Sequence, residues 1–161
     1  MISFDTNGNP SPVGLTDLTT ADFKVVFVDN FGKSETRSVI FNSYNQFIED
    51  FQNEIVKEFK NWVNGSFTTT KENPNDIDIV SVVNHTDELN SKTHLLNKFL
   101  TKGGSKDQYR VDGYFIPIYP ETDPRYVITL DCMNYWLNWF GMDRRGKPKG
   151  IIQLSFHKFD K

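Results

Sequence analysis

Apolar positions recur in two different periods along this chain, and the change of period marks its elements. Between Ser34 and Ile55 they return every three or four residues, at Ile40, Tyr44, Phe47, Ile48, Phe51 and Ile55, with Asn45, Glu49, Asp50, Gln52 and Asn53 on the other side. That spacing, with Arg37 near its start, predicts a long helix with one core-facing side. Thr19-Thr20-Ala21-Asp22 offers a hydroxyl cap and an early acid, so a short helix is expected through Phe23, Val26 and Phe27, broken at Asp29-Asn30-Phe31-Gly32. A third helix is expected from Thr86-Asp87-Glu88 through Leu89, Leu95, Leu96, Phe99 and Leu100, stopping at Gly103-Gly104, with Ser105-Lys106-Asp107 as a connector. A last helix follows Arg125-Tyr126, over Thr129 to Phe140, with Leu130, Met133, Leu137 and Phe140 as its repeat and Gly141 as its stop.

Elsewhere the runs are short, continuous and rich in β-branched residues. Glu58 to Val63, Asp76 to Val83, Tyr109 to Ile118 and Ile151 to Phe156 are therefore expected strands. The first two would be joined by a long polar loop, Thr68 to Asn75. Residues 1–14 hold turn formers and prolines around Asn7-Gly8-Asn9-Pro10-Ser11-Pro12, and read as an irregular arm. Strands interleaved with helices give an α+β expectation, an α/β-type mixed sheet flanked by helices in a single domain over residues 1–161.

Composition narrows the function. With 18 basic and 21 acidic residues the net charge is −3, which provides no general attraction to nucleic acid or an anionic membrane. No apolar run approaches the roughly 18 residues of a membrane span. The lone Cys132 excludes an internal disulfide framework and reads as a small core residue within an aromatic helix. The N-terminus lacks the basic and apolar regions of a signal peptide, so a cytoplasmic location and no membrane partner are expected. His85, His94 and His157 are dispersed and lack metal-ligand spacing.

The chemistry-bearing residues lie at the mouth of the second strand. Asp76 and Asp78 are one residue apart, so a strand would turn both carboxylates to one face and Ile77 to the other. Such a pair repels itself and raises its own pKa unless a cation intervenes, and hard oxygen donors favour magnesium, manganese or calcium over zinc. Upstream, Gly65 lets the backbone approach a bulky anion, and Ser66 offers a hydroxyl. Lys71 in the loop is within reach of whatever these groups bind, or is a solvated loop cation. Asp112 interrupts an otherwise apolar strand, which is costly unless the acid is paired or bound. It would share a face with Tyr114, Ile116 and Ile118. The cations Arg144, Arg145, Lys147 and Lys149 around Gly146 suit either a phosphate chain, with Arg144 and Lys149 as contacts, or a solvated turn.

Gly65-Ser66, nine further residues, Asp76-Ile77-Asp78 and a later strand aspartate, Asp112, resemble the signature of the DNA polymerase β nucleotidyltransferase superfamily. The phrases from Gly65 to Asp78, from Val111 to Pro117 and from Phe140 to Ile152 look like those of a small bacterial and phage group of nucleotidyltransferase-like proteins. The resemblance implies a nucleotidyltransferase-like fold, magnesium or manganese, and a nucleoside triphosphate, ATP by expectation. It assigns Gly65 and Ser66 to the phosphates, Asp76 and Asp78 to both metal ions and Asp112 to the one that activates the acceptor. The implied reaction moves a nucleoside monophosphate to a hydroxyl of a protein, RNA or small molecule. Relatives in the superfamily include antitoxins that add AMP to a partner toxin, so an interaction protein that keeps the fold without catalysis is the alternative. Gly113, in place of an apolar residue after the third acid, is expected to loosen that strand.

Overall fold

The computed structural model describes residues 1–157. In chain order its strands and helices are β1 (Ser3–Phe4), β2 (Pro10–Ser11), β3 (Gly14–Leu18), α1 (Thr20–Lys24), α2 (Arg37–Glu54), β4 (Phe59–Asn64), β5 (Ile77–Asn84), α3 (Asp87–Ser91), α4 (Thr93–Leu96), α5 (Ser105–Tyr109), β6 (Val111–Ile118), α6 (Tyr126–Phe140) and β7 (Gly150–Phe156). Five strands form a mixed sheet in the order β3-β7-β4-β5-β6, parallel at its two outer pairs and antiparallel within. The fold is thus a mixed α+β architecture, and β4 and β5 pair as the expected long-looped hairpin.

Strand alternation gives the sheet two unlike faces. Phe59, Val63, Ile77, Ile79, Val83, Val111, Ile152, Leu154 and Phe156 point to the first face, where they meet Phe23 and Phe27 and the buried side of α2. That core is aromatic throughout: Phe47 lies 5.8 Å from Phe51, 5.2 Å from Phe99 and 5.4 Å from Tyr109, ring centre to ring centre. Ser81, the one polar residue expected inside β5, is buried here and accepts from Asn61 Nδ2, while Asn61 Oδ1 accepts from the Tyr44 hydroxyl. No polar group in that chain is left unpaired, so its burial is tolerated.

Trp62, Val80, Ile116 and Ile151 point to the second face and pack against Phe140, Trp136, Leu137, Met133 and Cys132 of α6. Thr129 docks the start of α6 by donating to the Pro117 carbonyl and accepting from the Tyr119 N–H. Asn64 docks its end, donating to the Phe140 and Gly150 carbonyls. The inward stripe of α6 therefore runs through Thr129, Met133, Trp136 and Phe140, and Leu130, expected to face inward, is exposed.

Four expectations change. Residues 1–14 are not irregular: β1 pairs with β2, and Gly14 begins β3, the edge strand beside β7. Between Thr86 and Gly103 the chain forms α3, α4 and two 3₁₀ turns instead of one helix. Ser91 and Thr93 hydroxyls bond nearby carbonyls there, and a Cβ on Gly103 would meet the Asn97 carbonyl oxygen at 1.8 Å, a bend too tight for a continuing helix. The expected connector at 105–107 is helical, as part of α5. Finally, Gly113 does not loosen β6, which stays in register with β5 throughout. A Cβ on Gly113 would meet the Phe99 carbonyl oxygen at 2.3 Å, so glycine lets the β5–β6 connection pack flat on the first face.

Candidate functional site

The starts of β5, β6 and β7 and the end of β4 lie at one end of the sheet, and on the second face only α6 covers them. The connection between β5 and β6 lies on the other side, where Leu89, Phe99 and Tyr109 join the first core. A groove of about 1180 Å³ opens at this end. Its wall contains every candidate named from the sequence: Gly65, Ser66, Lys71, Asp76, Asp78, Asp112, Arg144 and Lys149.

Register places the acids. Asp78 is directly opposite Asp112 on the neighbouring parallel strand; Asp76, expected to open the strand, stands one residue before β5 and lines the same groove. Parallel neighbours are roughly 4.8 Å apart, so these carboxylates feel one another. Burial, then the charges of Asp76 and Asp112, push the Asp78 carboxyl up to about 6, with Lys149 and Lys106 acting in the opposite sense. The turn before the loop is fitted to this carboxylate. Gly65 has φ +78°, and a Cβ on it would meet Asp78 Oδ2 at 1.6 Å, so only glycine lets the two approach.

The two outer acids each have a partner, and the central Asp78 has none among the described residues. Asp76 Oδ2 is 2.6 Å from Lys106 Nζ, on the exposed first turn of α5. Asp112 Oδ1 accepts a short hydrogen bond from the Thr101 hydroxyl, which also reaches the Gly113 carbonyl. Lys149 is buried and donates to the Gly65 carbonyl at 2.6 Å; burial lowers its ammonium to about 8, against the pull of Asp78. Among the described residues no three histidine, cysteine or carboxylate side chains are drawn tightly enough to enclose a metal ion. Mutual repulsion and separate partners account for the spread. The donors nevertheless fit a hard divalent cation in kind, since three carboxylates line one groove and burial holds the central one against its own ionisation.

The loops around the groove are fixed from behind. Arg37 is 1% exposed and is paired with no carboxylate among the described residues; its guanidinium donates to the carbonyls of Phe27, Phe67, Thr69, Lys71 and Glu72. It also lies 3.7 Å over the Phe31 ring. One buried cation therefore shapes the loop carrying Ser66 and Lys71 and leaves the Lys71 side chain exposed. From the other side Thr70 N–H donates to the Gly8 carbonyl and Asn9 donates to Asp143, so the N-terminal ladder ties the two groove loops together.

The cationic segment after α6 combines both readings. It is a turn, with Gly146 at φ +71° and the Asp143 carboxylate accepting from Arg145 and from the Lys147 N–H. Arg144, Arg145 and Lys149 line the groove and Lys147 does not, and of the three Arg145 is paired with Asp143. Lys106 and Arg37 were not identified as site residues from the sequence. For Lys106 the available signal was a lysine one residue into a helix that begins after Gly104. Nothing local distinguishes Arg37, because its role depends on carbonyls from two distant loops.

Fold and site define an α+β protein with a three-carboxylate, lysine-flanked groove at one end of a mixed sheet. The chain belongs to a family of unknown function (DUF6932), whose model matches residues 2–155. No curated protein and no solved structure matches it. No helix among the described residues is long and apolar enough to cross a membrane.

Proposed function

We propose that this groove binds a nucleoside triphosphate with magnesium or manganese and transfers its nucleoside monophosphate to a hydroxyl group, on a nucleotidyltransferase-like fold. The observation that carries the reading is the alignment of Asp78 with Asp112 across parallel strands, with Asp76 on the same groove wall and Gly65 against Asp78. Three acids without a bound cation would be a liability at that position, since ionising Asp78 there costs stability.

Each residue then has a task. Gly65 and Ser66 receive the terminal phosphates, with Lys71, Arg144 and Lys149 supplying positive charge along the same wall. Asp76 and Asp78 hold the cation, and Lys106, half exposed, releases Asp76 as they do so. When bound, the cation neutralises the phosphate charge and stabilises attacking and leaving oxygens. The acceptor oxygen bonds to the α-phosphorus as the bond to the β-phosphate bridging oxygen breaks. Pyrophosphate leaves with that electron pair, and the hydroxyl proton passes to Asp112. ATP is the expected donor, and a protein, an RNA or a small molecule carries the acceptor hydroxyl.

Incubation with α-labelled ATP, magnesium and cell lysate tests this. Label transfer by the wild type and none by Asp76→Ala is expected; no transfer by either would sink the enzymatic reading.

One observation favours a second reading, an interaction protein of the antitoxin kind that uses this fold to cover a toxin-like partner. The outer side of α6 exposes Val127, Ile128, Leu130 and Tyr135, an apolar stripe unusual for a solvated helix. A partner that copurifies and is released by charged substitutions at Ile128 and Tyr135 would support it.

A further inference from the structure

The three tryptophans are treated differently by the fold. Trp62 is 2% exposed and its indole N–H donates to Gln153. Trp136 stacks near Tyr114 at 4.4 Å, with Tyr135 and Phe140 at its edges. Trp139 is 68% exposed, and among the described residues its indole has neither a ring partner nor a hydrogen bond. Leaving so large an apolar surface in water is unfavourable unless something covers it.

Its place limits what that can be. Trp139 precedes Phe140, whose carbonyl is tied to Asn64, the residue before Gly65. The helix end that carries Trp139 is therefore fixed beside the phosphate turn, and the indole lines the same groove as Asp76, Asp78 and Asp112. Its neighbour Asn138, also on the groove wall, has a side-chain amide with no hydrogen bond among the described residues. A flat π surface, a free amide and cations along one wall match the parts of a nucleotide: base, base edge and phosphates.

Resting on the nucleotide reading of this groove, the geometry points to Trp139 as the platform on which the base of the bound nucleoside triphosphate stacks, with Asn138 at the base edge. The tie to Asn64 fixes the backbone from which the indole projects, since moving it would disturb the end of α6 and the start of β7 together. Stacking is tolerant of base identity, so Trp139 supplies affinity for nucleotides over bare polyphosphate, and any choice among bases falls to Asn138.

Calorimetry in magnesium separates this inference from the reading beneath it. The probes are a non-hydrolysable ATP analogue and inorganic tripolyphosphate, titrated into the wild type, Trp139→Ala and Trp139→Phe. The expected result is that the wild type prefers the nucleotide on the order of tenfold or more. Trp139→Ala should lose that preference while binding tripolyphosphate as before, and Trp139→Phe should keep part of it. Indole emission quenched by the analogue in the wild type and not in Trp139→Phe is the independent readout. If the wild type binds both probes equally, or Trp139→Ala binds the analogue as the wild type does, the platform is refuted while the phosphate site stands. Binding of neither probe by the wild type overturns both.

Discussion

The two faces of one sheet are built to different ends. The first face, under α2, is rich in aromatic rings, and two of its buried polar sets are closed: Tyr44 with Asn61 and Ser81, and Arg37 with five carbonyls. The second face begins in the same way, with Trp62, Val80, Ile116 and Ile151 under α6. Toward the end of the sheet it gives way to Asp78, Asp112 and a buried Lys149 with one hydrogen bond to a carbonyl. A buried guanidinium surrounded by carbonyls is an element of structure. Three acids and a partly satisfied ammonium at the mouth of a groove are a cost to stability that binding would offset.

Substitutions in the first face should therefore cost stability, whereas neutralising the central acid at the open end of the second should add to it. The largest effect is expected for Phe47→Ala, which removes a ring in contact with Phe51, Phe99 and Tyr109 and should cost about 3–5 kcal/mol in chemical denaturation. Arg37→Met should follow at about 3 kcal/mol, because it strands buried carbonyls. It should also make the segment 66–72 a preferred site of limited proteolysis; a loop as resistant as the wild type's would show that Arg37 is not what shapes it.

On the second face the sign reverses. The Asp78 carboxyl is raised in the folded state to about 6 from 3.8, so its contribution is fully present below the unfolded value and is lost as pH rises through the folded one. Asp78→Asn should accordingly stabilise the protein by about 1–2 kcal/mol near pH 7.5 without metal, with the gain vanishing below about pH 4. Thermal melts across that range check it, and destabilisation near neutral pH would reverse the contrast between the faces. The smallest effect belongs to Trp139→Ala, within about 0.5 kcal/mol in the same melts, because the ring is already in water.

Much of this contrast could be read in the chain, though unevenly. Ile77 between Asp76 and Asp78 revealed the alternation, and strand periodicity put Asp112 with Tyr114 and Ile116 on one face. What alternation could not reveal was register: that Asp78 faces Asp112 depends on how the segment 85–110 folds back, and its broken helices carry no clear period. The strand Gly14–Leu18 was hidden by the prolines and glycines before it, since its place beside β7 is a long-range pairing without a local signature. Lys106 reaches Asp76 only because α5 stands next to the start of β5. In α6 the helix was legible, but with apolar residues on every side the sequence left open which of the aromatics from Tyr135 to Phe140 are core and which, like Trp139, face out.

All of this converges on Asp78, which Gly65, Lys149 and Asp112 surround from the turn, the buried cation and the neighbouring strand. Calorimetric titration of a non-hydrolysable ATP analogue into the wild type and Asp78→Ala, each with magnesium and with chelator, tests that convergence most directly. Binding by the wild type in magnesium alone, and its loss in Asp78→Ala, is the expected result; an affinity unchanged by chelator or by the substitution would contradict a cation-dependent nucleotide site.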